Sequence, residues 1–272
     1  LKLRVPTRHG VVFASYSSEV EPIEEYLTPE ILKDFDVVFP GKPLKILGYY
    51  KNELPCNWKM YHENLKDPYH ATLLHSFLVV FGLLVAGNES AMIADPVHYR
   101  HGTMASAKKD DKYASVSPET KKEMRSFHDG LRLLDDRFLD FVKEFDSPWS
   151  VTMQTIWPNL VVQREMNTLG VRHIVPNGPH SLLMIWTMFG YEDDTPEMVR
   201  HRLRQGNLMG PAGFLGLEDN EAMKFVQEGV RRSSTDLNIV KLDADNIGTS
   251  NSLISEAAIR GMYRYYRSVM GF

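Results

Sequence analysis

The sequence predicts an α+β domain in which a curved antiparallel sheet wraps around a long helix. Three observations carry this. Four apolar, strand-like segments between Val151 and Phe189 follow one another with short links, which implies an antiparallel meander. The stretch Asn57–His75 carries Trp58, Tyr61, Leu65 and Tyr69 at spacings of three and four, one face of a helix. Beyond the meander, capped starts and apolar stripes mark a run of helices.

Taken in order, Val11 to Ser15 reads as a strand. Thr28-Pro29-Glu30 is a helix start, with proline at the first helical position. Leu44 to Tyr50 alternates as a strand and feeds the Asn57 helix. Pro68 interrupts that helix, because it lacks a backbone donor and crowds the preceding turn. An apolar run follows from Phe77 to Ala86, then a turn at Gly87-Asn88. Val97 to Ala105 reads as a strand bearing His98 and His101, and Lys108 to Lys112 as a charged loop. Ser117-Pro118-Glu119 opens a helical region whose stripe is Leu131, Leu134, Phe138, Phe141, Val142 and Phe145. The meander follows as Val151–Ile156, Leu160–Met166, Gly170–Val175 and Leu182–Phe189, with Asn177-Gly178-Pro179 turning the last pair. Thr195-Pro196-Glu197 opens a helix to about Leu208, and Gly210-Pro211-Ala212-Gly213 breaks it. Glu218-Asp219-Asn220 opens another helix, Asp236 to Thr249 is irregular, and a last helix runs from about Ser252 to Met270.

With 272 residues the chain can bury a full core, and 43% apolar content is that of a folded domain. A net charge of -4 and no basic tail give no sign of a nucleic-acid partner. The single cysteine, Cys56, excludes an internal disulfide, a zinc ribbon, or a cysteine-ligated iron–sulfur cluster held by this chain alone. No apolar run is long enough to span a bilayer and no signal peptide is visible, so a cytoplasmic protein is the expectation. The first residue is Leu1, already in a strand-like segment, as in a piece of a longer protein.

The chemistry concentrates in NWKMYHENLKDPYHATLLH, Asn57 to His75. His70 and His75 are five apart, which on an ideal helix leaves the rings about 140° apart around the axis. They share a metal only if the helix is distorted, or if the ion sits beyond the helix edge, and Pro68 is placed to distort it. A bare pair of this spacing by itself reads more readily as one core and one surface histidine. Two imidazoles and a carboxylate on one face would leave open positions on iron(II). Asp219, after the glycine-rich break, is the best distant carboxylate, though a helix N-cap serves equally as its reading.

The run Glu63-Asn64-Leu65-Lys66-Asp67-Pro68-Tyr69-His70-Ala71-Thr72-Leu73-Leu74-His75 closely resembles the motif of large (α) subunits of Rieske non-haem iron ring-hydroxylating oxygenases. Asn57-Trp58-Lys59, the GPAGF stretch with Glu218-Asp219, and Ala258 to Tyr263 resemble the same subunits. The resemblance covers nearly the whole chain. It implies a helix-grip, START-like fold over residues 1–272, a single mononuclear-iron catalytic domain. It implies His70, His75 and Asp219 as ligands of Fe(II). Asp67 matches the aspartate that bridges the iron to the Rieske cluster of a neighbouring subunit, and Asn64 matches a position near the iron's open side. The family's N-terminal Rieske domain, with its [2Fe–2S] cluster on two cysteines and two histidines, is expected to be absent from this chain. The family's electrons come from NAD(P)H through a reductase, often with a ferredoxin. Its partners are small (β) subunits and neighbouring α subunits, often as α3β3.

Candidate substrate-pocket residues are Val79 and Phe81 after the ligand stretch, Asn159 and Val161 on the meander, and Met209 and Leu215 around the glycine-rich break. Arg172 lies in the strand-like GVRHIV on the same face as Ile174. A buried arginine needs an anion, either an acidic side chain or a substrate carboxylate. Val171 to Ile174 and Phe189 to Pro196 also resemble the branch acting on aromatic acids, such as salicylate, anthranilate and terephthalate. The expectation is a salicylate 5-hydroxylase-like or anthranilate dioxygenase-like mono- or dioxygenase of aromatic catabolism. The alternatives are a metal-free aromatic-binding protein of the same fold and a zinc hydrolase.

Overall fold

Alternation in the meander sorts the sheet into two faces. The structure, a computed structural model, describes residues 2–81, 89–107, 132–210, 213–235 and 239–272. A short hairpin, β1 (Thr7–Arg8) and β2 (Val11–Val12), precedes α1 (Ile23–Val38). The main sheet has seven antiparallel strands in the order β3-β9-β8-β7-β6-β5-β4. These are β3 (Leu44–Leu54), β4 (Ser90–Ala94), β5 (Gly102–Ser106), β6 (Val151–Ile156), β7 (Leu160–Glu165), β8 (Thr168–Pro176) and β9 (Leu182–Tyr191). The helices are α2 (Trp58–Lys66), α3 (Ala71–Leu74), α4 (Ser76–Val80), α5 (Pro196–Met209), α6 (Phe214–Arg232) and α7 (Ala257–Met270). The α+β expectation therefore holds. Among the described residues no helix is long and apolar enough to cross a membrane.

Side chains in register across antiparallel strands share a face. On one face Ile156, Val162, Leu169 and Phe189 close over Leu27, Ile31 and Phe35 of α1 in the larger core cluster. On the other, Leu54, Val161, Ile174 and Met184 pack under Tyr61 and Leu65 of α2 and Met223 of α6. That second face also carries a polar strip. Val161, Arg172 and Trp186 stand in register, and Gln163 is paired with Gly170. Gly170 has a steric reason to be glycine. A Cβ there would lie 2.1 Å from Nε1 of Trp186, whose indole covers the position.

Several element boundaries differ from the sequence reading, each for a local reason. The Thr28-Pro29 start falls inside α1, where Thr28 leaves helical geometry (φ 61°, ψ 154°) before Pro29 and the helix resumes. The strand expected from Val97 begins only at Gly102. Asp95 Oδ1 accepts the backbone N–H groups of Val97 (2.8 Å) and His98 (3.2 Å), folding that stretch into a turn. It links β5 to the unanticipated β4. The helix expected through Leu134 to Phe145 does not form. Only a 3-10 turn, Asp136–Leu139, is present there, and Leu134, Phe141 and Val142 are exposed. Distant side chains take the backbone groups a helix would use. Asn167 bonds both N–H and C=O of Val142, and Gln205 Nε2 donates to the carbonyls of Phe138 and Asp140. The last helix starts at Ala257, leaving Ile254 exposed outside it. Gly87-Asn88, the Lys108 loop, the start at Ser117 and Leu131 lie outside the described residues.

Candidate metal centre

The break in the central helix is what lets the two histidines meet. α2 begins at an Asn57 cap, whose side chain accepts from the Lys59 N–H, and ends at Lys66. Asp67 Oδ1 then accepts the N–H groups of Tyr69 (3.0 Å) and His70 (3.3 Å), building a turn around Pro68. His70 stands at the start of α3. His75, with φ -79° and ψ 63°, leaves the helical path between α3 and α4. Their ring centroids are 5.3 Å apart, which uninterrupted helical geometry would not allow.

The third member comes from α6. Gly213 caps this helix, and Asp219 sits in its second turn rather than at its N-cap. The sharp exit from α5 needs glycine, because a Cβ at Gly213 would lie 2.1 Å from the Leu208 carbonyl oxygen. The ligand atoms of His70, His75 and Asp219 all lie within 4.8 Å of one another. Asp219 Oδ1 is 3.4 Å from Nε2 of each imidazole. That oxygen is buried and has no hydrogen-bond partner among the described residues.

The other ring nitrogens are committed. Nδ1 of His70 donates to the Asp67 carbonyl, and Nδ1 of His75 donates to Glu218 Oε2 at 2.9 Å. In the neutral rings both Nε2 atoms then keep a lone pair facing Asp219. Metal-binding histidines are oriented in just this way by carbonyl or carboxylate acceptors. Burial lowers the His70 pKa, but the Asp219 and Asp67 carboxylates outweigh it and the net shift is upward. Asp67 is shifted upward by burial, with His70 opposing. A buried acceptor without a partner, facing two such nitrogens, fits a divalent cation.

Glu218 was missed by sequence reasoning, which took it only as part of a motif. Its signal is adjacency: one residue before the candidate ligand Asp219, it is turned by the helix toward the neighbouring histidine. Glu218→Gln should weaken metal retention about 10- to 100-fold, the usual effect of removing such a partner. Metal content after dialysis against graded chelator checks this, and an unchanged retention curve would remove Glu218 from the site.

A cavity of about 190 Å³ opens beside the triad. Asn64, Asp67, Arg172, Met209 and Leu215 line it, together with Met104, Met153, Met184 and Trp186 from the sheet. Asn64's side-chain amide makes no hydrogen bond with the described residues. Three pocket candidates are not there. Val161 shares the correct face but is covered by Tyr61 and Leu65, so it belongs to the core. Asn159 lies in the link between β6 and β7, bonded to His173 at the exposed end of the sheet. Phe81, past the end of α4, does not reach the cavity, whereas Leu78 does. The Val79 side chain lies outside the described residues.

Arg172 forms no ion pair among the described residues and is only 6% exposed. Its Nε and Nη2 donate to Gln163 Oε1 (2.9 and 2.7 Å), and Nη1 donates to the Tyr61 hydroxyl (2.7 Å). The guanidinium lies 4.4 Å from the Trp186 ring centroid. Gln163 donates in turn to Glu165, also lining the cavity, whose carboxyl is pushed up to about 7 by burial against the opposing pull of Arg172. Sequence reasoning missed Gln163 and Glu165. The signal was polar residues on the same alternation as Val161, facing Arg172.

A family model described as the ring hydroxylating alpha subunit (catalytic domain) matches residues 43–271. The large oxygenase component of salicylate 5-hydroxylase from Ralstonia sp. is 42% identical, over 99% of this chain and 63% of that protein. The large subunit of anthranilate 1,2-dioxygenase from Burkholderia cepacia is 37% identical, over 100% of this chain and 63% of that protein. Naphthalene 1,2-dioxygenase from Rhodococcus sp., bound to indole, has a TM-score of 0.70 at 17% identity. That match covers 98% of this chain and 66% of the other and speaks for the fold alone. The chain spans just under two thirds of the length of these curated relatives.

Proposed function

Because the chain belongs to the family of ring-hydroxylating alpha-subunit catalytic domains, we propose that it binds one ferrous ion and an aromatic carboxylic acid for hydroxylation with dioxygen. His70, His75 and Asp219 would be the ligands. The observation that carries this is the orphaned Asp219 oxygen, buried and 3.4 Å from both imidazole nitrogens. A metal-free aromatic carrier has no use for a buried carboxylate oxygen without a hydrogen bond, which costs stability until something pairs with it. The family match, rather than the ligand set, favours iron over a hydrolytic zinc.

Two imidazoles and a carboxylate on iron(II) supply dioxygen chemistry, with positions left open for oxygen beside a bound substrate. This chain's residues do the rest. The Asp67 carbonyl and Glu218 fix the two imidazoles. Asn64 offers an uncommitted amide at the cavity wall. The apolar methionines, Leu215 and Trp186 take a flat ring and exclude water. Arg172 holds the carboxylate, because its guanidinium is buried without an ion pair among the described residues and keeps one N–H to spare. Asp67 is the entry point for electrons, through its contact with His70. Cys56 alone cannot hold a [2Fe–2S] cluster, so the Rieske cluster lies outside these residues. Reducing equivalents then come from NAD(P)H through a reductase, with or without a ferredoxin. Partner subunits, small (β) and neighbouring α chains in an α3β3 assembly, bring a second chain's cluster to Asp67. The similarity to the salicylate and anthranilate enzymes supports this substrate class.

The test is a reconstitution of the full-length protein with reductase, NADH and salicylate or anthranilate. Hydroxylated product should require both ferrous iron and dioxygen. Turnover without oxygen, or restored by zinc alone, contradicts the oxygenase reading.

A further inference from the structure

Two buried groups of opposite character face one cavity from the same sheet and are joined by a single amide. Gln163 Oε1 accepts from Arg172, while Gln163 Nε2 donates to Glu165 Oε2. The amide cannot turn over, because a guanidinium only donates and a carboxylate accepts. Gln163 therefore sets the spacing of the two groups it joins. Arg172 and Glu165 do not form an ion pair with each other, and each is 6% exposed. Both keep capacity to spare. Among the described residues four of the five guanidinium N–H groups are used, two on Gln163, one on the Tyr61 hydroxyl and one on the Met153 thioether, which leaves one free, while the second carboxyl oxygen of Glu165 has no hydrogen bond among the described residues.

We infer that Arg172 and Glu165 form a paired recognition strip for a ring bearing a carboxylate and, beside it, a hydroxyl or amino group. The inference rests on the aromatic-acid reading above and narrows its substrate class to ortho-substituted monocarboxylates. The carboxylate meets the guanidinium, and the neighbouring O–H or N–H meets the free oxygen of Glu165. Glu165 titrates near neutrality, so in its protonated form it can also donate to that substituent. An unsubstituted benzoate leaves the Glu165 oxygen dry and unpaired, the situation in which polar sites discriminate strongly against an analogue lacking the group. A dicarboxylate fares worse. Apart from the two triad histidines, Arg172 is the one basic side chain among the described lining residues, so a second carboxylate meets no second arginine or lysine.

The test is anaerobic calorimetric titration of the full-length, iron-loaded protein with salicylate, anthranilate, benzoate and 4-hydroxybenzoate. Salicylate and anthranilate should bind at least about tenfold more tightly than the other two. Glu165→Met should bring all four within about twofold, whereas Glu165→Gln, whose amide oxygen still accepts, should keep most of the preference. Persistence of the full preference in Glu165→Met overturns the inference. If that variant fails to fold, the unaltered protein decides alone, because equal affinity for salicylate and 4-hydroxybenzoate also overturns it. A different result separates the broader reading. If none of the four acids binds, or Arg172→Gln binds them like the parent, the aromatic-acid assignment itself fails.

Discussion

His75→Ala and Asp219→Ala should each strip the protein of retained ferrous iron and, with it, of hydroxylation. The loss should exceed the 10- to 100-fold expected of an outer partner such as Glu218, because a direct ligand is gone. The stability signature is sharper than the activity loss. Asp219 Oδ1 is a buried acceptor with no hydrogen bond among the described residues, and such a group costs about 1–3 kcal/mol. Asp219→Ala should therefore leave the metal-free protein as stable as the parent or more so. Ferrous iron should stabilise the parent alone, by about 4 kcal/mol at a thousandfold excess over its dissociation constant. Denaturant unfolding with and without anaerobic iron separates the cases. A variant that keeps the iron-dependent rise excludes Asp219 as a ligand.

Arg172→Gln should cost about 2–5 kcal/mol of aromatic-acid binding, the usual loss when one member of a buried charge pair is removed. In affinity that is roughly thirtyfold to several thousandfold. An uncharged aromatic such as indole should bind the variant and the parent alike. The ligand-free protein should not suffer in proportion, because its guanidinium is desolvated without an ion pair. Equal weakening of indole and salicylate would mean that Arg172 only props the sheet, through Gln163 and Tyr61.

How much of this was legible depends on where each residue's partners lie. The meander was readable because alternation is local, and the four strands fall almost where the pattern put them. The helix expected up to Phe145 failed for the opposite reason. Its apolar spacing was genuine, but Asn167 and Gln205, far along the chain, claim the backbone groups that a helix would need. His70 and His75 were a weak pair by spacing alone. The motif resemblance grouped them with Asp219; Pro68 gave a physical reason for the helix to break just before His70, whereas the departure at His75 that turns the second ring had no local signal. Asp219 as a cap was a misreading of where the glycine-rich break ends, since α6 starts at Phe214. Val161 was assigned to the correct face but not to the helix that covers it, because coverage by α2 is a tertiary fact. Glu165 and Gln163 escaped notice because polar residues alternating in a strand ordinarily face water. Here that face is a wall of the cavity.

One cation site is central to the proposed chemistry. The most direct measurement is a crystal structure of the ferrous-loaded protein with anomalous data collected at the iron edge. A single strong peak is expected, bonded to Nε2 of His70, Nε2 of His75 and the carboxylate of Asp219, with Nδ1 of His75 still on Glu218. A peak at any other cluster, or iron bonded to Glu218 with Asp219 turned away, would contradict it.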